Sequence, residues 1–383
     1  MEGTFIFDKP VTGKYFLGRK QEVNILSNLL SQGENVVMYE PPKTGKTSLV
    51  QQAFFNMKIA MQHFSAVQVS FLTVRSSVEL CSLLGDAILR ATGTTPDDYS
   101  VAVAMYLKGT HFVFDQRAYE ESGRILSLNW DMDDDDMRAV FTLPYRVAAD
   151  RGQTLYVYIS EFQNIMLTED GDAVCRLLDE VFRSRTRDDR QAASYILAGS
   201  QVNAMKYIFD HRRWFYHQVE RVKIGEIDSK DITDRIVRDL LSSGKVMDRN
   251  LMLGMCKVFR NNIWYINFFA SLCDSLSKGY MMEPVLEEAL SMVIAVNEPR
   301  FLSIINDLTT FQVQLLRAVA EGQTRFSSAE VIRRYGLNSS ANVRRLKDAL
   351  CRKEIITFED DDVPVILDPL FEYWLMHNFF GNA

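Results

Sequence analysis

The 383-residue chain lacks a hydrophobic run of the length that crosses a bilayer: no stretch of about 18 uncharged apolar residues occurs. Residues Met1 to Phe5 carry no basic segment followed by an apolar one, so neither a membrane span nor a secretory leader is expected. Paired cysteines are also missing. Cys81, Cys175, Cys256, Cys273 and Cys351 stand far apart, with no C-x-x-C pair and no histidine beside them. That excludes a disulfide framework or zinc module and fits reduced thiols in the cytoplasm. Nor is positive charge in excess. With 43 Lys+Arg against 50 Asp+Glu, the net charge is −7, which argues against a protein that coats nucleic acid electrostatically. Repeats and low-complexity linkers are absent, apart from the acidic run Asp131, Met132, Asp133 to Asp136. What remains is a globular composition, 47% hydrophobic and 24% charged, long enough for two or three domains of about 150 residues each.

Apolar, β-branched or aromatic runs at 35–40, 64–71, 154–159, 193–198 and 219–224 alternate with helical patterns. The alternation predicts a parallel α/β sheet over the first 225 residues. The stretch 92–136 interrupts it and reads as an excursion, its acidic run as a solvated helix N-terminus before Met137; the run lacks the ligand spacing of a calcium loop. From 226 to 302 helical periodicity takes over, with segments Ile232 to Leu241, Leu251 to Val258, Tyr265 to Leu276 and Pro284 to Val296. From 303 to 383, three short helices (308–320, 327–335, 339–353) precede two strands around 354–358 and 363–367, the outline of a winged helix-turn-helix.

Between the run at 35–40 and an amphipathic helix lies Pro41-Pro42-Lys43-Thr44-Gly45-Lys46-Thr47-Ser48. A loop that cradles phosphate has the pattern G-x-x-x-x-G-K-[ST], because amides must wrap the β-phosphate while a lysine and a magnesium-binding hydroxyl stand beside it. Gly45, Lys46 and Thr47 satisfy it; Glu40 occupies the first glycine position. The strand 154–159 ends in Ser160-Glu161-Phe162-Gln163-Asn164. Such a strand needs a carboxylate for magnesium and a second one to orient attacking water. Glu161 supplies the second. Ser160 stands at the metal position, where a hydroxyl can reach a magnesium-bound water without adding charge. The strand at 193–198 is followed by Gly199-Ser200-Gln201, and Ser200, with Gln201 behind it, is the polar residue at that strand's end that a P-loop ATPase would use to sense the γ-phosphate.

These pieces resemble, in order, the archaeal-type ATPase family of the AAA+/STAND P-loop NTPases. The resemblance rests on Phe16-Leu17-Gly18-Arg19-Lys20-Gln21-Glu22, the phosphate loop, Ile159 to Asn164, Leu197-Ala198-Gly199-Ser200, and Asp368-Pro369-Leu370-Phe371-Glu372-Tyr373-Trp374-Leu375. It implies a P-loop core (1–225), a helical lid (226–302) and a winged helix (303–383). It also implies ATP and Mg2+ as ligands, with Phe16, Gly18 and Arg19 joining Pro42 to Ser48 as nucleotide contacts, Thr47 and Ser160 toward the metal, and Lys46, Glu161 and Ser200 toward chemistry. Asn261-Asn262-Ile263 departs from the G-x-P turn of the family's lid. An arginine finger, if present, would come from Arg183, Arg185, Arg187 or Arg190.

The helix from Ser339 carries Arg344, Arg345, Lys347, Arg352 and Lys353, while the turn Glu359 to Asp362 is acidic, and 303–383 holds nine Lys and Arg against eleven Asp and Glu. DNA and protein therefore both stay open as partners, as does an oligomer of this chain. The expected function is a slow ATPase switch that positions the winged helix. The rival is a non-hydrolysing, nucleotide-bound scaffold, and the third is a sequence-specific regulator of transcription.

Overall fold

The computed structural model describes residues 4–359 and 362–381; Asp360 and Asp361 of the acidic turn lie outside them. The chain divides into two compact units. One comprises Lys20–Glu40 and Leu49–Ile224; the other Met1–Arg19, Pro41–Ser48 and Gly225–Ala383.

In the first unit, β1 (Val36–Tyr39), β2 (Phe64–Ser70), β3 (Thr154–Ser160), β4 (Ala193–Gly199) and β5 (Glu220–Arg221) form one parallel sheet in the order β2-β3-β4-β1-β5. The five apolar runs of the sequence are these five strands. Every residue of β1 and β4 is buried, as a parallel sheet covered on both faces requires. Around it lie α1 (Lys20–Ser31), α2 (Lys46–Ile59, which begins in the other unit), α3 (Ser77–Leu89), α4 (Pro96–Tyr106), α5 (Asp134–Arg151) and α6 (Gly171–Arg183). Asn35, fully buried before β1, accepts hydrogen bonds from the Tyr195 amide (2.9 Å) and from Arg185 Nη1 (3.1 Å). Arg185 also donates to the Gly33 carbonyl. This buried guanidinium is thereby committed to the sheet, which removes it from the finger candidates.

The excursion 92–136 is structured. It holds α4, a two-turn helix (Gln116–Ser122) and the small hairpin Phe112–Val113 with Ser127–Leu128. The acidic run does open a helix, with Asp133 and Asp136 in a capping box at the start of α5. One member is not solvated: Asp136 is 1% exposed and accepts from the His111 amide (2.7 Å) and His111 Nδ1 (2.9 Å).

In the second unit, α7 (Ser229–Ser242), α8 (Arg249–Val258), α9 (Ile263–Leu276) and α10 (Glu283–Asn306) precede α11 (Thr310–Ala320), α12 (Ala329–Tyr335), α13 (Ser340–Arg352), β6 (Ile356–Phe358), β7 (Pro364–Ile366) and α14 (Pro369–Trp374). Strands β6 and β7 pair antiparallel as the wing. Thr309, Ser328 and Ser339 each cap the helix that follows, satisfying amides that the first turn leaves orphaned. One apolar core runs from Phe5 through Phe259, Phe269 and Leu286 to Phe371 and Trp374. The last lid helix differs from expectation: it continues beyond Val296 to Asn306, 24 residues with Pro299 inside. A proline normally ends a helix because it lacks an amide proton; here Phe301 and Ile305 beyond it are buried and carry the helix into the winged helix core.

Candidate functional site

The phosphate loop belongs to the second unit with every nucleotide-contact residue expected from the sequence, from Phe16, Gly18 and Arg19 to Pro42–Ser48. The loop leads out of β1 and Lys46 opens α2, so the first amides of a helix face the loop's concave side. Gly18 (65°) and Arg19 (53°) in the box before it, and Lys43 (67°) and Gly45 (91°) within it, hold positive φ. Glu40 is not among the described residues with positive φ. The glycine that the motif has at position 40 is therefore not demanded by backbone angle in this chain. The position that does adopt glycine-like geometry is Lys43, and such outliers in side-chain-bearing residues concentrate at functional sites.

Arg19 ties the loop down. Its Nη1 donates to the Thr44 carbonyl and its Nε to the Gly225 carbonyl at 2.9 Å. A Cβ on Gly45 would stand 3.0 Å from that same Nη1, and one on Gly18 would strike Ile227 at 2.9 Å. Both glycines are thus fixed by close approach as well as by φ. Lys46 Nζ donates to the Pro41 carbonyl at 2.8 Å, Thr44 Oγ1 to the same oxygen at 2.9 Å, and Ser48 Oγ accepts from the Val11 amide at 3.1 Å. Thr47 is half-buried in the first turn of α2, and Pro42 is exposed. Lys43 sits with its ammonium 3.6 Å from the centre of the Trp264 ring and 4.9 Å from that of Tyr265. Burial, then the charge of Arg300, holds its pKa below the ordinary lysine value, with Asp368 opposing.

Near the loop, Thr4, Ile6, Val11, Tyr15, Leu17, Arg235, Asp239, Ile263 and Asn267 line a cleft of about 20 Å³, roughly the room of one water. Its polar rim is ordered: Arg235 bonds Asp239 (2.5 Å) and the Lys14 carbonyl (2.7 Å), and Asn267 bonds the Ile6 carbonyl (2.8 Å). Tyr15 and Leu17 flank Phe16, so the box contributes to this cleft through the neighbours of the residue singled out from sequence.

The other candidates lie in the first unit. Ser160 ends β3, and its Oγ donates to the Val69 carbonyl at 3.4 Å. Glu161 follows in the left-handed region (φ 55°), which turns its side chain out of the strand line. One carboxylate oxygen accepts from Ser200 Oγ (2.5 Å) and from Gln163 Nε2 (2.7 Å). Ser200, at the end of β4, and Glu161 are therefore in direct contact. The neighbours have separate jobs. Phe162, fully buried, packs against Phe71, Phe209 and Phe215, and Asn164 Nδ2 bonds the carbonyls of Phe71 and Leu72 beyond β2 (both 3.1 Å). Gln163 was missed as a functional candidate. It is 3% exposed, its Oε1 has no hydrogen-bond partner among the described residues, and a Cβ at Gly199 would crowd it at 2.8 Å.

Residues 299–377 match the family model of a probable winged helix domain. Among solved structures the chain is similar to a Walker-type ATPase of Pyrococcus abyssi, with 16% identity over 97% of this chain and 99% of that one and a TM-score of 0.67. The chain shares the fold of this Walker-type ATPase. Similarity extends to the Aeropyrum pernix ORC2 protein in ADPNP and ADP complexes, at 13% identity over 98% of each chain with a TM-score of 0.57. No curated protein matches the chain in sequence. In a parallel sheet of order β2-β3-β4-β1-β5, the loop after β1 and the polar residues after β3 and β4 all follow the carboxyl ends of strands, where open α/β sheets bind ligands.

The lid turn shows how a departure from the family pattern is accommodated. Arg260 (φ 44°) and Asn261 (φ 55°) adopt the left-handed region in place of a glycine, a region asparagine tolerates better than most side chains. Asn262 then caps α9 through the Trp264 and Tyr265 amides.

Proposed function

We propose that the chain is an ATP-binding AAA+/STAND-type protein whose nucleotide sets the state of its winged helix, with slow hydrolysis. The observation that carries this reading is the loop Pro41–Thr47: a strand-to-helix loop with left-handed backbone at Lys43 and Gly45, held by Arg19 and followed by the N-terminus of α2. Such a concavity favours phosphate. The Aeropyrum pernix relative was solved with ADPNP and ADP, which supports a nucleotide here. Lys46 would exchange its bond to the Pro41 carbonyl for the β- and γ-phosphates. The cleft beside Tyr15, Leu17 and Asn267, too small for a base as it stands, would widen to take the adenine.

The hydroxyl that the loop would offer Mg2+ is that of Thr47, which brings no charge. It fits a metal held chiefly by the nucleotide's own phosphates, where it would polarise the γ-phosphate. Glu161 and Ser200, in contact with each other, are the residues that would orient water and sense the γ-phosphate. Lys46→Ala is expected to abolish ATP binding in a calorimetric titration; unchanged affinity would sink the reading.

Ser160 favours a second reading, a scaffold that keeps ATP without cleaving it. For partners, α13 offers exposed Arg344, Arg345 and Arg352, with Lys353 just beyond, to a phosphate backbone or an acidic protein face. Lys347 is partly neutralised by Asp362 at 3.2 Å.

A further inference from the structure

Lys43 joins the phosphate loop to the C-terminal helix through four side chains. Its ammonium rests on Trp264 and Tyr265, the residues whose amides Asn262 caps at the start of α9. The Tyr265 hydroxyl donates to the Asp368 carboxylate at 3.0 Å. Arg300, from α10, donates to the same carboxylate at 2.5 Å. Asp368 is itself the cap of α14, accepting from the Leu370 (2.9 Å) and Phe371 (3.2 Å) amides. Arg260 reinforces the junction by bonding the Ile366 carbonyl (2.5 Å) and pairing with Glu372 (3.3 Å). All of these residues lie in one compact unit.

We propose that Lys43, Trp264, Tyr265 and Asp368 form a coupling chain through which phosphate on the loop loosens the first turn of α14. The proposal rests on the nucleotide reading given above. Lys43 lies in the loop with its ammonium over the Trp264 and Tyr265 rings. An aromatic face holds an ammonium less strongly than a phosphate oxygen does, because the ring offers only a quadrupole while the oxygen offers full charge and a short hydrogen bond. Phosphate cradled by the amides around Gly45 therefore draws the ammonium off the rings. Its departure takes a positive charge from beside Asp368 and a lid from the Tyr265 ring, and the Tyr265–Asp368–Arg300 cluster rearranges. The cap that Asp368 gives Leu370 and Phe371 weakens with it. Because the loop then favours a different state of the winged helix, the coupling is reciprocal: disturbing the Asp368 cluster must alter affinity for ATP.

The test uses the full chain with Mg·ATP as the probe, following binding by calorimetry and hydrogen exchange at the Leu370 and Phe371 amides. The expected result is that saturating ATP speeds exchange at these amides about fivefold, against RT ln 5 or about 1 kcal/mol of cap stability. In Tyr265→Phe, and in Asp368→Asn as a second variant, exchange is already fast, ATP still binds two- to fivefold more tightly, and ATP no longer changes the exchange. Two results overturn the proposal: exchange unchanged by bound ATP in the wild type, or an ATP response in Tyr265→Phe as large as in the wild type. Absence of ATP binding by the wild type would instead bring down the nucleotide reading on which the chain depends.

Discussion

Glu161 makes both of its short contacts with one carboxylate oxygen, to Ser200 and Gln163, and that arrangement decides what single substitutions should do. A carboxylate offers two oxygens with about four acceptor positions, so the two donors fix the orientation of Glu161 through one oxygen and leave the other able to accept from water. Ser160→Asp supplies the missing charge beside this group and should raise the single-turnover rate of ATP cleavage by about tenfold, equivalent to about 1.4 kcal/mol of barrier. An unchanged rate would favour the scaffold reading. Glu161→Gln should leave binding intact and remove cleavage, as judged by ADP formation from bound ATP. Glu161 and Ser200 could be found in the sequence because each closes an apolar strand at a fixed spacing. Gln163 could not, since nothing in its type distinguishes a clamp from an ordinary buried amide. Lys43 was legible as a loop residue only; its left-handed backbone follows from how the loop closes under Arg19, which no local pattern encodes.

Helices and strands were legible wherever periodicity and caps agreed. The five strands, the lid helices and the winged helix all follow the apolar pattern, and Thr309, Ser328 and Ser339 mark starts that the sequence announces. The element that sequence cut short is α10, because tertiary burial of Phe301 and Ile305 overrides the penalty of Pro299. Trp374 anchors the far end of that core. It is 2% exposed, stacks with Phe371 and donates from Nε1 to Glu298 at 3.0 Å, so Trp374→Ala should cost about 3–5 kcal/mol in denaturant unfolding. At the start of α5, the hydrogen bond from His111 to Asp136 raises the histidine pKa, desolvation opposes, and the charges of Asp136 and Asp133 add to the rise. A raised folded-state value means that the protonated ring stabilises the native chain. That contribution is complete below the unfolded value of 6.5 and is lost as pH climbs through the folded one. Tm should therefore fall between about pH 6 and pH 8 in the wild type and fall less in His111→Asn.

For the molecule as a whole, net charge and local charge point in different directions. A chain of net charge −7 will not hold DNA through its general surface, so any DNA retention must come from α13. Replacing Arg344 and Arg345 together by Glu should then abolish retention of the full chain on a DNA column at low salt, whereas a protein partner would make retention absent in the wild type as well. What no sequence pattern announced is how the chain is divided. Residues Pro41–Ser48 belong with Gly225–Ala383, although strand β1 just before them belongs to the other unit. On the ribosome this interleaving becomes a delay. The loop bearing Lys43 is made long before the aromatic pair it rests on, Trp264 and Tyr265; at about 5–20 residues per second the interval is roughly ten to forty seconds. For that time the nascent chain carries a nucleotide loop without its ring partners, and the second unit can close only when synthesis has reached the lid.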